Sequence, residues 1–175
     1  MYLFSRLFYP DIYVRSIENI PFDKLTKRGI NTLIFDIDNT LVAYDEPEPS
    51  AKVMNLFARL QAEGFTLALL SNNHEERVTL FNQDLQLLAR ADAKKPRRLV
   101  MKQVLDELGV YGSQAAMIGD QVFTDIWCGN ANGMTTILTK PVENRDEFQV
   151  YLKRGVERLI VRSFVRKAKA GREAF

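Results

Sequence analysis

Cysteine, histidine and tryptophan each occur once in the 175 residues, as Cys128, His74 and Trp127. A single cysteine forms no internal disulfide and no Cys-rich zinc site, which fits a reducing, cytoplasmic setting. His74 has no second histidine to complete a metal site, and is expected at most to border a pocket. Long apolar runs are also missing. Phe65 to Leu70 is among the longest, far short of the roughly 20 residues that span a bilayer. Residues 1–10 lack the basic start, apolar stretch and small-residue cleavage site of a signal peptide, so none is expected. Nor is there a large excess of charge, since 24 Lys+Arg face 22 Asp+Glu and the net charge is +2. The chain as a whole is therefore no polycation built for nucleic acid. With 46% hydrophobic and 26% charged residues, it reads as one soluble globular domain over residues 1–175, without repeats or long linkers.

What is present alternates between two periodicities. Ile30 to Asp36 (INTLIFD) turns apolar and stops at carboxylates, as a buried parallel strand does. Ser50 is a candidate N-cap for a helix with Val53, Leu56, Phe57 and Leu60 on one face, closed by Gly64. A second buried strand, Phe65 to Leu70, ends at Ser71-Asn72-Asn73, and a helix is expected from His74 to about Asp84. A weaker strand at Leu87 to Ala91 leads to Lys94-Lys95-Pro96. Leu99, Val100, Val104 and Leu108 then mark a helix ended by Gly109. Ala115 to Ile118 is a short strand finishing at Gly119-Asp120, Thr124 can cap a helix over Asp125 to Asn130, and Met134 to Leu138 is a further strand. Strands separated by helices predict an α/β fold, a doubly wound, Rossmann-like parallel sheet with helices on both faces.

That core covers about residues 30–140 and leaves two flanks. Residues 1–29 carry Tyr2, Phe4, Phe8, Tyr9 and Tyr13, expected to pack in preference to anchoring at a membrane interface. From about residue 145 the chain reads as a helical tail. Between Lys153 and Arg172 eight basic residues face one acid, Glu157, a local charge of +7 that leaves −5 for the rest of the chain. Phe148, Leu152, Val156, Leu159, Ser163 and Phe164 give the tail an apolar stripe. It could lie on anionic lipid at the inner membrane face, bind RNA, or pack on the core.

In an open parallel sheet, reactive groups collect at the carboxyl ends of the strands. Here those ends carry Asp36/Asp38, Ser71/Asn72, Lys95 and Asp120/Asp125, a set that suits phosphoryl transfer to a carboxylate. Asp36, at the strand end, is the candidate nucleophile. Asp38, two residues on and projecting to the same side, is the candidate general acid and base. Asp36, Asp120, a backbone carbonyl and waters suit Mg²⁺ as a hard oxygen-liganded cation, while Ser71 and Lys95 suit phosphoryl oxygens. Asp125 is expected to support the site from behind.

The residues Asp36-Ile37-Asp38-Asn39-Thr40-Leu41, Ser71-Asn72-Asn73, Lys95-Pro96 and Gly119-Asp120 with Asp125 resemble, in order, the four motifs of haloacid-dehalogenase-like (HAD) phosphatases. Gly119-Asp120-Gln121 with Thr124-Asp125 is similar to the YqeG-type branch of the class IIIA members. The resemblance covers about residues 30–140. It implies a Mg²⁺-dependent phosphatase with Asp36 and Asp38 catalytic, and Ser71, Asn72 and Lys95 on the phosphate. The metal would be held by Asp36, the Asp38 backbone carbonyl and Asp120, with Asn39, Thr40 and Asp125 supporting. Of the adjacent lysines, spacing does not choose between Lys94 and Lys95, whereas the Lys-Pro resemblance favours Lys95. Because that branch is related to phosphatidylglycerophosphate phosphatases, it also implies a lipid phosphate as one candidate substrate.

Spacing bears on the substrate too. The 33 residues from Asp38 to Ser71 and the 24 from Ser71 to Lys95 are consumed by one helix and strand each, so no cap domain fits. An open site favours a substrate that brings its own cover, such as a lipid head group, a protein or a nucleic-acid end, or a partner subunit acting as lid. The alternatives are a phosphatase of a soluble metabolite and a phosphate-responsive or RNA-associated binding module. A receiver-like module is disfavoured by an acid two residues after the candidate nucleophile on the first core strand.

Overall fold

A computed structural model describes residues 6–143 and 148–169, with side chains over 155–166 in the final helix. Tyr2, Phe4 and the side chains of Phe148, Leu152, Lys153, Arg154, Lys167, Lys169 and Arg172 fall outside the described residues. Six strands form one parallel sheet: β1 (Ile12–Val14), β2 (Thr32–Phe35), β3 (Thr66–Leu70), β4 (Leu88–Arg90), β5 (Ala115–Gly119) and β6 (Thr135–Thr139). Their spatial order is β1-β6-β5-β2-β3-β4. From β2 the chain winds outward through β3 to β4. It then returns to the other side of β2 as β5 and winds outward to β6. The crevice at the carboxyl ends of β2 and β5 is thus the topological switch point, where such sheets bind ligands.

Helices α1 (Phe22–Lys27), α2 (Ala51–Ala62), α3 (Glu75–Asn82), α4 (Arg98–Leu108), α5 (Trp127–Ala131) and α6 (Phe148–Lys169) cover the sheet. Alternation along β2 divides the core. Leu33 and Phe35 face Phe22, Leu25, Phe57 and Phe81, while Ile34 faces Met101, Val104, Met117 and Cys128. Local signals set the helix ends. The Ser50 Oγ accepts from the Val53 N–H at 3.4 Å, and Gly109 ends α4 with φ +67°, a conformation that costs glycine little. No inserted domain separates β2 from β3 or β3 from α4.

Three features differ from the reading of the sequence. Residues 12–14, assigned no element there, form β1 and pair in parallel with Ile137, Leu138 and Thr139. The Asp11 carboxylate fixes that edge, accepting from the backbone N–H of Thr136 at 2.8 Å. Second, Thr124 is not a helix cap: the chain starts winding at Val122, through a π-helical turn (Val122–Ile126) that leads into α5. The wider turn lets Asp125 reach back, its Oδ2 accepting the Gln121 N–H at 3.0 Å. Third, the face that α6 buries is rotated from the expected stripe. Val156 and Leu159 are 51% and 62% exposed, whereas Ile160 packs with Val122, Ile126 and Leu138.

The N-terminal aromatics pack against this same region. Phe8 lies edge-on to Phe123 and Trp127, with ring centroids 5.5 and 5.1 Å apart. Tyr9 meets Phe164 edge-on, and its hydroxyl lies 2.7 Å from the Ser163 Oγ. The two flanks therefore hold one another against the β1-β6 side of the sheet.

Candidate active site

Asp36 follows β2 and is continuous with the sheet, its backbone N–H donating to the Ile118 carbonyl at 2.9 Å. Beyond it the chain turns at Asn39, whose φ of +62° is a conformation asparagine tolerates better than most residues. The turn brings the Thr40 hydroxyl back to the Asp36 Oδ2 at 2.9 Å and within 3.4 Å of the Asp120 Oδ1. On the far side of the site, Lys95 Nζ lies 2.5 Å from the Asp36 Oδ1 and 2.7 Å from the Asp125 Oδ1, and donates to the Leu70 carbonyl at 2.9 Å. Lys95 is buried and Lys94 is exposed, so it is Lys95 that enters the site.

Burial and charge set the ionisation. Desolvation pushes the Asp36 carboxyl up to about 7 against the pull of the Lys95 ammonium, with the Asp125 and Asp38 charges adding to the rise. The Lys95 ammonium is held above its ordinary range because Asp125 and Asp36 outweigh its own desolvation. Asp36, Asp120 and Asp125 are all buried, and each offers a carboxylate oxygen within 4.8 Å of the others. Three buried carboxylates beside one lysine leave excess negative charge, which a hard divalent cation bound through oxygen would offset. The donor set thus fits Mg²⁺.

Asp38 sits at the rim of this cluster. Its Oδ2 accepts from Asn73 Nδ2 at 3.2 Å and from the Ser71 hydroxyl at 3.5 Å, and its Oδ1 pairs with Arg77 at 3.1 Å. Arg77 also donates to the Glu46 and Pro47 carbonyls at 2.7 and 2.8 Å, and stacks over Phe81 with its carbon 5.4 Å from the ring centroid. One guanidinium therefore ties the 43–50 loop and Asp38 to α3. The Asn72 side chain does something other than face the crevice: it accepts from the Lys95 N–H at 2.7 Å and donates to the Lys95 carbonyl at 3.3 Å. It grips the backbone that presents the lysine.

Gly119 is required by sterics. A Cβ there would lie 2.3 to 2.4 Å from the Cγ, Cβ and Oδ2 of Asp125. Only a residue without a side chain lets β5 approach Asp125 closely enough for that carboxylate to reach Lys95. Asp125 is thus inside the charged cluster, not behind it. Sequence reasoning missed Arg77, Asn73 and the steric role of Gly119. Arg77 carried one usable signal, a cation in the first turns of the helix that opens after the Ser71-Asn72-Asn73 strand end.

A family profile described as HAD-hydrolase-like matches residues 93–147. The chain is 34% identical over 165 residues to probable phosphatase YqeG of Bacillus subtilis (strain 168), covering 94% of this chain and 96% of that protein. It is 28% identical over 169 residues to phosphatidylglycerophosphate phosphatase 1, chloroplastic/mitochondrial, of Arabidopsis thaliana. That match covers 90% of this chain but 48% of the plant protein, so the chain spans about half the length of that relative. Among solved structures, the magnesium complex of a HAD family enzyme from Bacteroides thetaiotaomicron has a similar fold. Its TM-score is 0.52 at 14% identity, over 66% of this chain and 96% of that one.

Proposed function

The chain belongs to the YqeG-like phosphatases of the HAD family, and we propose that it hydrolyses phosphomonoesters through an aspartyl-phosphate on Asp36, aided by Mg²⁺ and with residues 1–175 acting as one domain. The observation that carries this reading is the buried cluster of Asp36, Asp120, Asp125 and Lys95 at the switch point of the sheet. Asp36, Asp120 and the Asp38 backbone carbonyl would hold the metal. When bound, it supplies charge neutralisation between the attacking carboxylate and the phosphoryl oxygens.

The remaining roles fall to the chain's own groups. An Asp36 carboxylate oxygen attacks phosphorus as the ester P–O bond breaks, and Asp38 gives its proton to the leaving oxygen. Asp38, then a carboxylate, takes a proton from water as that water attacks phosphorus. This releases inorganic phosphate and restores Asp36. The Ser71 hydroxyl and Lys95 ammonium stabilise the phosphoryl oxygens, with Asn72 fixing the Lys95 backbone. The Thr40 hydroxyl and the Asn39 turn hold Asp36 in its orientation.

For substrate we favour phosphatidylglycerophosphate or a related lipid phosphate. Support comes from the activity named for the plant relative, the absence of an inserted lid, and α6, which carries exposed Val156, Leu159 and Arg166. Peripheral contact with an anionic membrane would follow from that face. Among the described residues no helix is long and apolar enough to cross a membrane. The test is Mg²⁺-dependent phosphate release from phosphatidylglycerophosphate in mixed micelles, beside soluble phosphomonoesters, for wild type and Asp36→Asn. Lipid-selective release, lowered at least about 10⁴-fold by the substitution, is expected. Release only from soluble esters overturns the lipid assignment, and equal release by both proteins overturns the nucleophile.

A further inference from the structure

Beside the charged cluster, on the β6 side of Asp120, lies a cavity of about 430 Å³ that the mechanism above does not use. Its floor is largely apolar, with Val122, Leu138, Val161 and Tyr13, and its cations are Lys140, Arg158 and Arg162. Asp120 belongs to both places, forming one wall of the cavity and one corner of the carboxylate cluster. The volume falls within the range of small-molecule sites, and the Asp120 wall it shares with the carboxylate cluster makes it a place for the rest of the substrate.

We propose that this cavity binds a second anionic group of the substrate, a phosphodiester or phosphoryl group carried on the same molecule as the phosphomonoester, through Arg158, Arg162 and Lys140. The inference rests on the phosphatase reading above and adds which substrates that site prefers. Arg158 and Arg162 are four residues apart, so they project from the same face of α6. Guanidinium groups match phosphate oxygens two at a time, which a lone ammonium does not. The helix carrying them is seated. Glu157 is 6% exposed and accepts the Phe123 N–H at 3.1 Å, while Ile160 is buried against the π turn. Glu157 and Asp120 are the two acids lining the cavity, against the three cations Lys140, Arg158 and Arg162. Thr139, 2% exposed and also lining the cavity, has a hydroxyl with no hydrogen-bond partner among the described residues. The carbon atoms of a short linker between two phosphates would lie over the apolar floor.

Binding is measured first, in the full-length Asp36→Asn protein, so that the result does not depend on turnover. Isothermal titration calorimetry compares glycerol phosphate, with one anionic group, and the deacylated head group of phosphatidylglycerophosphate, which carries a phosphodiester as well. Adding Arg158→Gln with Arg162→Gln is expected to weaken head-group binding tenfold or more, and at least fivefold more than glycerol phosphate binding. Lys140→Gln, away from α6, is expected to act in the same direction. Equal losses for both ligands, or no loss for either, overturn the proposal. The same arginine variants are then assayed for hydrolysis with Asp36 intact. A loss of kcat/KM shared by micellar lipid and soluble head group supports the subsite. A loss confined to micelles overturns it, because the arginines would then be reading the membrane surface. If the protein with Asp36 intact hydrolyses nothing, the phosphatase reading fails while the calorimetry still decides the subsite.

Discussion

The two sides of β5 are built on opposite plans. Toward β2 and β3, every ionisable group of the cluster is buried and closely partnered: Lys95 touches two carboxylates, Thr40 bridges two, and Gly119 is bare so that Asp125 can close the ring. Toward β6 and β1, the same strand end opens into a cavity whose arginines stand exposed on a helix packed against the N-terminal segment. Groups that must meet a phosphoryl transition state gain from being fixed in advance, since any reorganisation would subtract from the rate. Groups that recognise the remainder of a substrate can be long, solvated side chains that settle on binding. The comparison assigns rate to the closed side and selectivity to the open one.

The sharpest way to break that contrast is Gly119→Ala. A methyl group 2.3 to 2.4 Å from Asp125 cannot be accommodated without moving a carboxylate that is ion-paired to Lys95 and bonded to the Gln121 N–H. Opening a buried pair of this kind costs about 3–5 kcal/mol. Activity should fall about 10²- to 10³-fold, because Lys95 and Asp36 are held by the same network. Denaturant unfolding and steady-state kinetics check the two figures. If both are unchanged, the closed side is not rigid.

A smaller effect is expected at the rim. Arg77→Gln removes the ion pair to Asp38 and the cation that ties down the Glu46 and Pro47 carbonyls, but leaves Asn73 and Ser71 on the carboxylate. Asp38 would still be present and less well positioned, so kcat should drop about tenfold with KM moving less, for lipid and soluble esters alike. Arg77→Lys should recover part of that loss. A change confined to KM would place Arg77 with substrate recognition and blur the division between the two sides.

The closed side was also the more legible in the sequence. Asp36, Ser71 and Asp120 each follow an apolar run, those runs are the strands whose order makes their ends converge, and Lys95 lies five residues beyond the end of β4. The open side was less so, for reasons particular to its residues. β1 is three residues long and is fixed by Asp11 on Thr136, a partner 125 positions away that no local pattern announces. The π turn hides because hydrophobic spacing cannot tell it from an α-helical start at Thr124. On α6, helical periodicity marks an apolar stripe, yet two elements compete for that helix. The pocket formed by Val122, Ile126 and Leu138 takes Ile160 and leaves Leu159 outside. Arg77 escaped notice for a different reason: its partners are two backbone carbonyls and one acid from distant loops, and carbonyls carry no sequence signal.

The smallest predicted effect tests whether the open side is a seated wall at all. Tyr9 and Ser163, 154 residues apart, share a hydroxyl–hydroxyl hydrogen bond of 2.7 Å, and the Tyr9 ring meets Phe164 at 5.9 Å. Tyr9→Phe keeps the ring contact and removes only the hydroxyl, so it isolates the hydrogen bond. A partly buried bond between neutral groups contributes about 0.5–1.5 kcal/mol, and the double-mutant cycle with Ser163→Ala should return a coupling of that size in denaturant unfolding. A coupling within about 0.3 kcal/mol of zero would mean that α6 is not docked there through this contact. Since the helix brings Arg158 and Arg162 to the cavity, a helix that drifts would also lose selectivity between singly and doubly anionic ligands. Tyr9→Phe should therefore lower that selectivity slightly, and far less than removal of the arginines, while the closed side keeps its rate on simple esters.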